Sequence, residues 1–182
     1  MNIVTKTAAA LALCATPVLA ANPMVGGAPM YESKNIVENA VNSADHTTLV
    51  AAVKAAGLVE TLSGKGPFTV FAPTNEAFAE LPDGAVEALL MPKNKDRLTQ
   101  ILTCHVVAAD VMSDAIATMV ADDGGMHTIK TVGGCEFTAI MKDGKLMIEG
   151  GQGRVATVTI PDVVQSNGVI HVIDKVLLPA KS

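Results

Sequence analysis

The chain has 182 residues, is 49% hydrophobic and 17% charged, and carries a formal net charge of −5. It is too apolar for a disordered chain, and its length fits one domain with a real core, since a domain takes about 100–200 residues. The acidic excess and the lack of any basic cluster exclude the usual nucleic-acid footprint, and 3% aromatics with no Trp remove base-stacking platforms, aromatic sugar-binding surfaces and the usual Trp and Tyr anchors of an interface.

Residues 1–20 (MNIVTKTAAALALCATPVLA) carry one charge, Lys6, then a short apolar core from Ala8 to Ala15 and a small-residue cleavage pattern ending at Ala20. That is the layout of a secretory signal peptide, with an apolar core too short to span a bilayer. Cys14 follows Leu13, a poor match to a lipid-attachment site. No later run of about 18 apolar residues exists, so no transmembrane segment is expected. Export would leave Cys104 and Cys135. In an oxidising compartment an even pair points to one disulfide, and two buried free thiols are the alternative.

Residues 21–34 are rich in Pro, Gly and small residues without periodicity, and read as an extended N-terminal arm. A domain is expected over 35–180. Asn35 and Glu38 have the spacing of a capping box, and Leu49, Val50, Val53 and Ala56 form a helical stripe ended by Gly57. Phe68–Phe71 (FTVF) is a short β-rich run broken by Pro73, after which Thr74 can cap a helix starting at Asn75. Leu98, Ile101 and Leu102 make a further stripe whose next step reaches His105, so His105 points inward or lies at a helix-to-strand junction. Asp110–Val120 reads as helix, with Met112, Ile116 and Met119 on one side.

From His127 the period changes to two. Thr128–Val132, Glu136–Lys142, Lys145–Ile148, Ala156–Ile160, Asp162–Gln165 and Val169–Ile173 read as strands. Asp143-Gly144 and Ser166-Asn167-Gly168 have hairpin-turn chemistry. Helices dominate the first half and strands the second, which predicts an α+β fold with a mostly antiparallel sheet.

No chemistry-bearing motif stands out. No Ser sits on a glycine-flanked elbow, there is no Cys-x-x-Cys, and His46, His105, His127 and His171 are isolated from one another. His105 and His171 lie in apolar surroundings and read as core histidines donating to backbone carbonyls. An enzyme built on them would need both to reach solvent. Asp122-Asp123-Gly124-Gly125 lacks the spaced oxygen ligands of a calcium loop. No cofactor and no metal are expected.

Two segments carry a resemblance. Thr69–Phe78 (TVFAPTNEAF) and Val169–Pro179 (VIHVIDKVLLP) resemble the two signature segments of the fasciclin domain family, and His105-Val106-Val107 resembles the short motif between them. The resemblance runs from about Asn35 to Pro179. It implies a compact fasciclin-like fold, a mostly antiparallel β-wedge packed with short helices. It implies structural roles for Thr69, Phe71, Pro73, Thr74, Asn75, Phe78, His105, Asn167, Gly168, His171 and Asp174, with the two segments meeting in the core. It also implies an exported, non-enzymatic module for cell-surface adhesion, matrix association or protein binding, periplasmic or secreted. The partner is then a protein or cell surface, with weak homo-oligomerisation left open. Some fasciclin-like proteins carry apolar pigments such as carotenoids, which makes an apolar-ligand carrier the alternative. The family commonly has Tyr before the central His. Here that residue is Cys104, so integrin recognition does not carry over, and Cys104 is expected to tie its strand to the Gly133-Gly134-Cys135 turn.

Overall fold

The computed structural model describes residues 22–180. The signal-peptide reading of residues 1–20 lies outside them.

Within the arm expected at 21–34, residues 24–29 form a small hairpin. β1 (Met24–Val25) pairs antiparallel with β2 (Ala28–Pro29). Gly26 and Gly27 both have positive φ, as a tight two-residue turn requires. Val25 and Met30 are buried, and Ala44 N–H donates to Gly26 O at 3.1 Å. Two-residue strands have no periodicity to read. Only the apolar anchors and the docking partner make them structure.

The helical half follows. α1 (Ile36–Ala40) starts with a complete capping box: Asn35 Oδ1 accepts from Glu38 N–H, and Glu38 Oε2 accepts from Asn35 N–H, both at 2.9 Å. α2 (Thr47–Ala56) buries Leu49, Ala52, Val53 and Ala56 and ends at Gly57, which is left-handed. α3 (Val59–Ser63) leads to β3 (Phe68–Pro73), and α4 (Asn75–Ala79) is capped by Thr74, whose Oγ1 accepts from Ala77 N–H at 3.3 Å. α5 (Ala85–Leu90) precedes α6 (Lys95–Cys104), which buries Leu98, Ile101, Leu102 and Cys104.

β4 (Val106–Val107) is short. α7 spans Ser113–Asp122, starting three residues later than the sequence pattern predicts. The residues before it are held off the helix: Thr69 Oγ1 accepts from Val111 N–H at 2.9 Å and donates to Ala109 O at 2.6 Å. The strands of the second half are β5 (Met126–Lys130), β6 (Glu136–Lys142), β7 (Lys145–Glu149), β8 (Val155–Gln165) and β9 (Gly168–Ile173). Asp143-Gly144 makes the β6–β7 turn with positive φ at both residues. β8 joins the strands expected at Ala156–Ile160 and Asp162–Gln165 into one, running through Pro161. Its register with β9 shifts around Ile160, and Asp162 takes φ 56°, so a bulge absorbs the proline that cannot donate to a ladder.

One seven-stranded sheet results, in the order β4-β3-β9-β8-β7-β6-β5. It is antiparallel except for β3 and β9, which pair in parallel from Phe68↔Gly168 to Pro73↔Ile173. α1 to α6 contribute to one core, where Val70, Ala72, Ile170 and Val172 lie. A second core holds Phe71, Ile173 and the inner residues of β5–β8, with Ile116 and Val120 of α7. The alternating residues of β3 and β9 therefore feed two cores, which is why both strands read as unbroken apolar runs.

Candidate functional site

The two signature segments are neighbours through the parallel β3–β9 pair, and every side chain singled out in them does structural work. Thr69 is buried and braces the loop before α7. Phe71, buried, stacks on the His171 ring with centroids 5.6 Å apart. Pro73 pairs with Ile173 at the end of the ladder, and Thr74 N–H donates to Ile173 O at 3.3 Å before capping α4. Asn75 does not cap that helix. Its Oδ1 accepts from Thr48 N–H at 3.0 Å and Thr47 Oγ1 at 3.1 Å, and its Nδ2 donates to Ala44 O at 2.8 Å, tying α4 to the start of α2. Phe78 is core.

Asn167, in the β8–β9 turn, holds three elements. Its Oδ1 accepts from Ile36 N–H at 3.0 Å, and its Nδ2 donates to Leu62 O at 2.8 Å and Gly64 O at 2.9 Å. Gly168, with φ 153°, lets β9 press against the Phe68 backbone. Asp174 Oδ1 accepts from Thr157 N–H at 2.7 Å at the other end of β9.

Both predicted core histidines are closed to solvent, His105 at 2% exposure and His171 at 0%. His105 Nδ1 donates to Ile101 O at 2.8 Å and its Nε2 accepts from Leu177 N–H at 2.9 Å, which fixes a neutral tautomer bridging α6 to the C-terminal tail. Burial pushes the ring down to about 4, with the Ile101 bond opposing. His171 Nε2 donates to Val111 O at 2.8 Å while Nδ1 accepts from Asp162 N–H at 3.2 Å. Burial lowers its pKa too, against the Val111 bond and the Asp162 and Asp110 carboxylates.

Three contributors escaped the sequence reading. His46 is buried, with Nδ1 2.9 Å from Ser43 Oγ, and burial depresses its pKa. It had been grouped only with isolated histidines. Asn39 and Gln165 form a buried side-chain pair across 126 residues. Asp162 binds Ser113 through N–H at 2.7 Å and through the hydroxyl, starting α7. His46 lies on no apolar stripe, and the partners of Asn39 and Asp162 come from segments 126 and 49 residues away, so none of the three has a local signal.

Cys104 and Cys135 are joined by a disulfide, with Cα atoms 5.4 Å apart and 31 positions between them in sequence. It ties the end of α6 to the turn before β6. Beside it Val132 N–H donates to Val106 O at 2.8 Å and Gly133 N–H to Thr103 O at 3.0 Å, so the two ends of the sheet nearly touch. Closing this loop stabilises the fold by about 4 kcal/mol on the chain-entropy estimate. The intact protein should weigh about 2 Da less before reduction than after it. A Cys104→Ser/Cys135→Ser variant should lose about that stability in a urea titration. Two alkylatable thiols in denatured, unreduced protein would contradict the bond.

Among the described residues no three His, Cys, Asp or Glu side chains cluster as metal ligands, and no helix is long and apolar enough to cross a membrane.

The family model for the fasciclin domain matches residues 44–179. The chain belongs to the fasciclin domain family. It is 48% identical over 161 residues to protein sll1483 of Synechocystis sp., covering 86% of this chain and 79% of the relative. It is 33% identical over 196 residues to immunogenic protein MPB70 of Mycobacterium bovis, covering 94% and 90%. Human periostin is 33% identical over 138 residues, 74% of this chain but 15% of periostin. A solved FAS1 domain pair from the insect cell adhesion molecule Fasciclin I superposes with a TM-score of 0.71 at 19% identity, over 80% of this chain and 51% of that one, which establishes the shared fold.

Proposed function

We propose that the protein is an exported, non-enzymatic fasciclin module that binds a protein or cell-surface partner and contributes to adhesion or matrix association. The observation that carries this reading is the fate of the signature residues. Their polar atoms are spent on backbone hydrogen bonds inside the fold, and neither candidate histidine is placed to meet a substrate. Function then belongs to the surface. The signal-like leader supports export, periplasmic or secreted, and the role draws support from Fasciclin I, which is an insect cell adhesion molecule. A strain lacking the gene should attach less to surfaces or neighbouring cells and recover attachment on complementation. Unchanged attachment, with no partner recovered on the purified protein, would refute the reading.

One observation favours the alternative of an apolar-ligand carrier. α1, α2 and α3, together with β3, β4 and the end of α6, enclose an apolar pocket of about 40 Å³, lined by Ile36, Leu49, Val53, Leu62, Val70 and Leu102 among others. Ligand sites usually measure about 300–1,000 Å³. A polyene would therefore enter only if these short helices swing apart. Visible absorbance in protein purified from its native host would support this reading, and a colourless preparation would remove it.

A further inference from the structure

The seven-stranded sheet begins at β4 and ends at β5, and these two edges face each other. They meet through Val132 N–H and Val106 O, beside the disulfide, and part beyond that point. Where they part there is a slot of about 250 Å³. Its walls are Val107 and Val111 on one side and Thr128 and Lys130 of β5 on the other; Phe71 and Met119 are among its apolar lining.

The free edge of β5 is readable from its pairing. Antiparallel neighbours alternate between residues that exchange hydrogen bonds and residues that do not. Thr131 N–H donates to Cys135 O, so in this register Ile129 and His127 turn their backbone groups toward β6. Thr128 and Lys130 then turn theirs the other way, as Val132 does when it reaches Val106. Among the described residues no other strand covers them. A row of unpaired donors and acceptors along a strand edge is a template for one more strand. Three exposed apolar side chains flank this row: Met126 at the start of β5, Val132 two residues past its end, and Met112 beside Val111. At the rim His127 Nδ1 lies 2.6 Å from Asp123 Oδ2 and Lys130 Nζ lies 3.6 Å from Glu136 Oε1. The slot is smaller than a usual small-molecule site. An apolar floor and an open backbone ladder together specify a peptide strand.

We propose that the slot accepts one extended segment of a partner polypeptide, apolar at every second residue, as an eighth strand added to the free edge of β5. Backbone bonds to Thr128 and Lys130 supply the register and alternate side chains fill the apolar floor. This rests on the partner-binding reading and gives it a surface.

The probe is the synthetic peptide Ac-SVTVTVS-NH2, with two copies N-methylated at alternate amides in opposite phase. The unmodified peptide should slow hydrogen exchange of the Thr128 and Lys130 amides at least tenfold in the full exported chain. One methylated phase should bind like the parent and the other at least tenfold more weakly. Thr128→Pro deletes a donor that no neighbouring strand uses and is tolerable on an edge. It should keep the urea midpoint and weaken the peptide at least tenfold. Unchanged exchange at millimolar peptide would overturn the proposal. So would equal binding of both methylated phases, which means apolar contact alone. Protection of the same amides that grows with protein concentration and no peptide means a second copy fills the slot, and also overturns it. Should Thr128→Pro unfold, the methylated pair still decides. In the attachment assay, a folded Thr128→Pro protein that restores attachment sinks the slot alone, whereas a gene deletion without effect sinks the adhesion reading.

Discussion

Gly168→Ala is expected to cost on the order of 4 kcal/mol and to leave little folded protein at 37 °C. A Cβ at this position collides with the carbonyl oxygen of Phe68 and sits 2.8 Å from that residue's N and C atoms. These are backbone atoms of β3, locked in the parallel ladder, so no rotamer change relieves the clash. The φ of 153° adds strain for any side chain. Moving the strands apart would break the Phe68 N–H bond to Asn167 O and disturb the three anchors of the Asn167 side chain. Gly84→Ala is the control. That glycine also has positive φ, but its Cβ meets nothing within 4 Å, so only the conformational penalty of about 1 kcal/mol applies. Urea titrations of the two variants should separate by roughly 3 kcal/mol. Equal midpoints would show that β3 and β9 are not held at the spacing described.

Mild acid is expected to destabilise the fold through its buried histidines. His105 titrates near 4 in the folded protein and near 6.5 when unfolded. Between those values the unfolded chain holds more protons, so stability falls as pH drops from about 6.5 toward 4 and is fully present above that window. The separation corresponds to about 3 kcal/mol in all, of which about 2 kcal/mol is already lost at pH 5. His46 and His171 are depressed in the same direction and steepen the loss; Asp45 opposes it at His46, and Asp162 and Asp110 oppose it at His171. Unfolding free energies measured between pH 7 and pH 5 should decline monotonically. A flat profile in that range would mean that the rings protonate without leaving their hydrogen bonds.

These two effects sit on the segments that the sequence already marks, yet the reason each residue matters there is not local. Gly168 reads as a turn glycine, which it is. Its close approach to Phe68 belongs to a strand 100 positions away. His105 reads as the inward continuation of the Leu98–Ile101–Leu102 stripe, and it is. Its second bond, to Leu177, is made by the chain end. His46 shows the limit from the other side: it sits between two helical turns with no stripe of its own, so nothing nearby in sequence marks it as buried.

What the sequence determined by itself is whatever a few consecutive residues settle among themselves. The Asn35–Glu38 box, the Thr74 cap, the Asp143-Gly144 turn, the stripe of α6 and the switch from period 3.6 to period 2 all depend on contacts within one or two turns of chain, and all are present in the structure. The family-like segments added the fasciclin-like fold to the α+β class that the periodicity already marks. The tertiary structure alone decided the rest: the parallel register of β3 and β9, the docking of the Met24–Pro29 hairpin, the single bent β8 through Pro161 and the slot beside β5. Each joins surfaces that are distant in sequence. Such pairings are selected by which apolar faces and unpaired backbone groups remain once local structure has formed, and no short window of residues contains that information.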